Sequence, residues 1–137
     1  MTEAELNAVR DINKKIRDLE RRLKDLRLAA ENIVPIVDGL PHSNEIQARV
    51  EKIALQTVET ERELDDLRAR LPHVQMHLTE MIFREVDAPV LQTFATLRYV
   101  ACVPFKETSH RLHITLRHAF RLNEKLFKCH IVAQSED

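Results

Sequence analysis

From Val9 to Ile33 apolar residues recur at alternating intervals of three and four: Val9, Ile12, Ile16, Leu19, Leu23, Leu26, Ala30 and Ile33. On an α-helix this alternation draws a single seam along one side. A second seam runs from Ile46 through Val50, Ile53, Thr57, Thr60, Leu64, Leu67, Leu71, Val74 and Leu78 to Met81. A helix cannot cover its own seam, so a chain patterned this way must pack helix on helix. The predicted fold is all-α. Ala, Glu, Lys, Leu and Arg make up nearly half of the chain, and there is one Gly, which suits long helices. No stretch shows the sustained alternation of a strand, and no Asn-Gly or Asp-Gly turn is present.

The first helix is predicted over residues 5–34. Its flanks carry Lys14, Lys15, Arg17, Asp18, Glu20, Arg21, Arg22, Lys24 and Asp25, a mixed-charge surface that meets water. Pro35, Gly39 and Pro41 break the pattern, and Ser43 or Asn44 caps the second helix. So short a connection forces the helices to be antiparallel neighbours, pairing 9–33 with 46–71 as a helical hairpin. Thr57 and Thr60 put hydroxyls in the second seam, where they either set register or bond to the preceding turn. Pro72 predicts a kink or break near Leu71. The second seam outruns the first by about two heptads, leaving Val74, Leu78 and Met81 to be covered by the C-terminal helices or by a second chain. That surplus predicts a homodimer.

A third helix follows, with Asp87 as its cap, Pro89 in its first turn, and Val90, Leu91, Phe94, Leu97 and Val100 as its apolar face. Residues 98–128 then read as two short helices joined by a tight turn. Phe105, Leu112, Ile114, Ala119, Leu122 and Leu126 are apolar. Ser109 is small enough for a close approach, and Leu112 and Ile114 bracket the turn. Thr115 is placed to cap the last helix. Opposite Ala119 and Leu122, that helix carries Arg117, His118, Arg121, Lys125 and Lys128, the kind of face that enters a DNA major groove.

Charge points the same way. The net charge of −1 conceals a segment, residues 98–130, at +5, against −4 for residues 1–97. A basic patch on an otherwise acidic chain is a footprint for phosphate, although Lys and Arg also populate ordinary solvated helix faces. Other chemistry finds little support. A single Gly excludes Walker and Rossmann loops, and no nucleophile elbow or paired-carboxylate motif is present, so an enzyme is not expected. His73 and His77 stand at i, i+4 without a recognisable third ligand and read as surface histidines. Cys102, Cys129 and His130 match no zinc spacing; the cysteines read as small buried hydrophobes. No metal or cofactor is called for. No apolar run nears the ~20 residues of a membrane span, and the start, M-T-E-A-E-L, is not that of a signal peptide. Two cysteines give no disulfide framework, so a cytoplasmic protein is expected.

With these residues in view, the chain resembles the ArpU/RinA-type phage late transcriptional regulators. The motifs that carry the resemblance are Arg98-Tyr99-Val100 closing a helix, Phe105 opening the next, and Arg117-His118-Ala119-Phe120-Arg121-Leu122 in the last. The hairpin with its Pro-rich loop extends the likeness over nearly the whole chain. The resemblance implies a hairpin or coiled-coil region, 1–84, a helix-turn-helix like region 4 of a sigma factor, 87–130, and a flexible tail, 131–137. It also implies a partner in promoter DNA, possible company in the RNA polymerase of a bacterial host, and DNA contacts by Lys106, Thr115, Arg117, His118, Arg121, Lys125 and Lys128. Two positions depart from the family pattern. Thr108 stands where an apolar residue is usual, and His113 stands at the turn position usually held by Gly, where positive φ strains any other residue. Those departures keep an alternative open: a coiled-coil adaptor whose degenerate helix-turn-helix contacts protein and not DNA.

Overall fold

The computed structural model describes residues 1–32 and 43–132. Among them are six α-helices and no strands: α1 Glu3–Leu6, α2 Ala8–Asn32, α3 Ser43–Glu85, α4 Pro89–Ala95, α5 Phe105–Arg111 and α6 Leu116–His130. A π-helical turn, Thr96–Val100, continues α4. Ile33, the Pro35–Pro41 loop and the tail beyond Val132 lie outside the described residues, whereas Ser43 and Asn44, expected to cap the second helix, are its first two helical residues. No described helix is long and apolar enough to cross a membrane.

The chain divides into two compact units, one of residues 14–69 and the other of 1–13 with 70–137. In the first unit Ile16 and Leu23 of α2 and Thr60 and Leu64 of α3 are buried. Two ion pairs join the helices, Glu20 to Arg68 at 2.9 Å and Arg27 to Glu61 at 3.7 Å. Moving seven residues forward on α2 moves the partner seven residues back on α3, so the two run in opposite directions here. All four charged side chains are about half exposed, so these pairs fix register more than they stabilise. Thr57 and Thr60 each donate to the carbonyl four residues back, at 2.8 and 2.7 Å, which satisfies their hydroxyls inside their own helix.

The second unit holds the larger core. Leu6, Val9, Leu78, Ile82, Val86, Leu91, Phe94, Ala119 and Leu126 are buried together, with Met81 and Tyr99 close behind. Leu78 and Met81 are therefore covered within one chain, and the surplus length of the second seam does not itself call for a partner.

Several local expectations are corrected. The first helix begins earlier and is interrupted. Thr2 and Glu5 form a reciprocal capping box, each side chain bonded to the other's backbone N–H at 3.2 Å, and α1 ends at Asn7, whose φ −90°, ψ 1° is not helical. Pro72 does not break α3. Pro72 and Arg68, four residues before it, are both exposed. Ala88, not Asp87, caps α4, with Pro89 at the first helical position, where a missing N–H costs nothing. The π turn, seen in the Ala101 N–H to Thr96 carbonyl bond of 3.0 Å, adds a residue to the helical repeat. It rotates Tyr99 into the core and leaves Leu97 and Val100 half-buried; Val90 is exposed. Cys129 is exposed too, and Cys102 is half-buried. Ile131 and Val132 are tied down, since the Val132 N–H donates to the Met1 carbonyl at 2.8 Å.

Phe94 is fully buried and touches the aromatic ring of Phe105 at 6.1 Å between centroids. Phe94→Ala should lower stability by about 3–5 kcal/mol in urea unfolding followed by circular dichroism. A loss below about 1 kcal/mol would show that this core is not the one that holds the unit together.

Candidate nucleic-acid interface

α5 and α6 are joined by Leu112–Thr115, and the backbone of this connection is closed by local bonds. The Leu112 N–H reaches the Thr108 carbonyl at 3.1 Å, His113 N–H the His110 carbonyl at 3.2 Å, and Ile114 N–H the Ser109 carbonyl at 3.0 Å. Turning the chain within so few residues requires one left-handed position, and His113 takes it with φ 56°. Gly reaches that region without cost; His carries a modest strain there. Ser109 is buried, with its hydroxyl donating to the Lys106 carbonyl at 2.7 Å. Thr108 is fully buried, and its hydroxyl donates to the Val103 carbonyl at 3.2 Å. A polar side chain at this apolar position is thus satisfied internally, and α5 still packs on α6.

Thr115 caps α6. Its Oγ1 accepts from the His118 N–H at 3.1 Å, which satisfies one of the amides that a helix start leaves unpaired. Ala119 and Leu126 are fully buried, and Leu122 and Asn123 are half-buried. The Tyr99 hydroxyl donates to Asn123 Oδ1, which ties α6 to the π turn; burial raises the Tyr99 pKa above the ordinary phenol value. With this side turned inward, Arg117, His118, Arg121, Lys125 and Lys128 are all exposed. At about 100° per residue they occupy an arc of roughly 100°. Thr115, Arg117, His118, Arg121, Leu122 and Lys125 line one open concavity. None of the five basic residues is engaged in an ion pair among the described residues.

Lys106 is not brought into this group. It lies on α5 and lines a separate hollow with Pro104, Glu107, Ser109, His110 and Ile114. Arg111, next along α5, is paired with Glu107 at 2.7 Å. His73 and His77 are exposed, and no group of metal-binding side chains occurs among the described residues.

One residue of the interface escapes a reading by apolar spacing. Phe120 is 52% exposed and Leu116 is 45% exposed, on the flank of α6 beside the basic arc. Phe120 stacks on Phe105 with centroids 4.7 Å apart, and the Arg98 guanidinium lies 4.4 Å from the Phe105 centroid. Desolvation by burial, and then the nearby charge of Arg10, lower the Arg98 pKa. The layered stack supports one side of Phe120 while leaving the residue about half exposed. Its signal in the sequence is an aromatic lying between Arg117 and Arg121 but outside the Ala119–Leu122–Leu126 spacing.

No protein-family model matches this chain, and no curated protein or solved structure does.

The connection yields a direct test. His113→Val should destabilise by about 1–2 kcal/mol, because a β-branched residue tolerates positive φ poorly. His113→Gly should leave stability within about 0.5 kcal/mol of the parent, as relieved strain offsets the added freedom of the unfolded chain. Equal stability of the His113→Val variant and the parent in urea titration would contradict a left-handed residue 113.

Proposed function

We propose that this chain is a DNA-binding transcriptional regulator of the phage type, without enzymatic activity, acting in the cytoplasm of a bacterial host. In this reading α5, the Leu112–Thr115 connection and α6 form a helix-turn-helix, with the π turn and α4 bracing it. The antiparallel α2 and α3 form a hairpin that docks on a partner, for which the resemblance suggests host RNA polymerase. The observation that carries the reading is the unpaired basic arc of α6, set opposite the fully buried Ala119 and Leu126.

The mechanism follows from the chemistry of the side chains. Arg117 and Arg121, one turn apart on the outer face, have the planar fork that bonds guanine O6 and N7 together. His118 lies beside them in the first turns of the helix. Phe120 presents a rigid apolar surface suited to a thymine methyl group. Lys125 and Lys128, further along α6, contact the phosphate backbone and set its salt dependence, and Lys106 reaches phosphate from the neighbouring hollow.

A second reading is favoured by one observation. Leu116 and Phe120 together leave an exposed apolar flank on α6, as a protein-docking surface would. In that case the chain is an adaptor and the helix-turn-helix does not bind DNA.

Fluorescence anisotropy with random duplex DNA at low and high salt separates the two. The regulator binds with a steep salt dependence, and the adaptor does not bind. Arg117→Ala and Arg121→Ala should each weaken binding to a preferred site by about 1–3 kcal/mol and relax sequence preference. Lys128→Ala should weaken binding to all sequences alike and flatten the salt slope by about one unit. Parental DNA affinity in the Arg117→Ala/Arg121→Ala double variant would reject the groove-facing assignment.

A further inference from the structure

α2 and α3 finish their outer faces differently. The outward side of α2 is charged along most of its length, and Leu28 is the large apolar residue it leaves exposed among the described residues. α3 buries Thr60 and Leu64 on one side, yet exposes Leu55 (60%) and Val58 (43%) on the other. At helical spacing these two continue into Arg62, Asp65 and Ala69, all exposed. The positions advance by three, four, three and four, so they form a second seam about half a turn around the helix from Thr60 and Leu64. Neither Arg62 nor Asp65 is in an ion pair among the described residues.

This second seam is complementary to itself. We infer that it is a homodimer interface, on which a second copy of the chain docks its own α3 antiparallel about a two-fold axis between residues 63 and 64. In that register Arg62 faces the partner's Asp65, Asp65 faces the partner's Arg62, and Val58 faces the partner's Ala69, a large residue against a small one. Charge selects both direction and register. A parallel pairing sets Arg62 against Arg62 and Asp65 against Asp65, which repels. A shift of one heptad sets Asp65 against Leu55 and Arg62 against Val58, or Asp65 against Ala69 and Arg62 against Pro72, and leaves the charges unpaired. An isologous contact of this kind meets its own requirement twice over, as two-fold interfaces do. In the same register Leu55 faces the partner's Pro72, and the inference stands whether or not α6 binds DNA.

Sedimentation equilibrium of the full chain tests it. The parent should be a dimer at micromolar concentrations. Arg62→Asp and Asp65→Arg should each raise the dimer dissociation constant about tenfold or more, because each sets like charges face to face at two places per dimer. The double variant Arg62→Asp/Asp65→Arg should restore the parental constant, and circular dichroism should show the same helicity throughout, since both residues are exposed. A concentration-independent monomer mass for the parent would overturn the inference. So would single variants that dimerise like the parent, or a double variant that fails to recover.

Discussion

The basic arc of α6 exists because of what α6 buries. Ala119 and Leu126 are fully inaccessible, and Ala119 in particular has no side chain beyond Cβ to hold α4 and α5 away. Close approach there fixes the rotation of α6 about its own axis, and that rotation decides that Arg117, Arg121 and Lys128 meet solvent. A larger residue at 119 would have to roll or lift the helix, moving every outward side chain with it. The other supports serve the same orientation: the Thr115 cap at one end, Asn123 held by Tyr99 midway, and Phe120 stacked on Phe105 along the flank.

Much of this was legible because periodicity reports on burial. The 3-4 spacing located α2 and α3, and the Ala119–Leu122–Leu126 spacing located the inner face of α6. Thr115 was readable as a cap from its chemistry alone, whereas His113 was placed in the turn by the resemblance, as a departure from the usual Gly, and it holds the left-handed conformation there. What stayed hidden depended on choices between near-equal local options. Thr2 with Glu5 competes with the seam as a helix start, and wins through two reciprocal bonds. The π turn inserts one residue into the repeat, so a strictly 3.6-residue reading picks Leu97 where Tyr99 is buried. The cover over Leu78 and Met81 is a tertiary fact, since sequence spacing says that a seam needs a partner and not which element supplies it.

Electrostatics and apolar exposure pull the functional reading in the same place but not in the same direction. Four Lys and Arg side chains on one arc, none in an ion pair among the described residues, favour a polyanion, and an exposed Phe120 next to them adds an apolar contact that a major groove can accept. The half-exposed ion pairs between α2 and α3 contribute little energy. On α3 Thr60 and Leu64 are buried, while Leu55 and Val58, about half a turn around, are exposed.

The central claim is that the outer face of α6 is where this protein meets DNA. Amide chemical-shift mapping of the full chain on titration with a short random duplex tests it most directly. The account predicts that shifts concentrate on residues 115–128, strongest at Arg117, His118 and Arg121, with α2 and the 55–69 segment of α3 unchanged. Shifts confined to α2 and α3, or no shifts at saturating duplex in low salt, would contradict it.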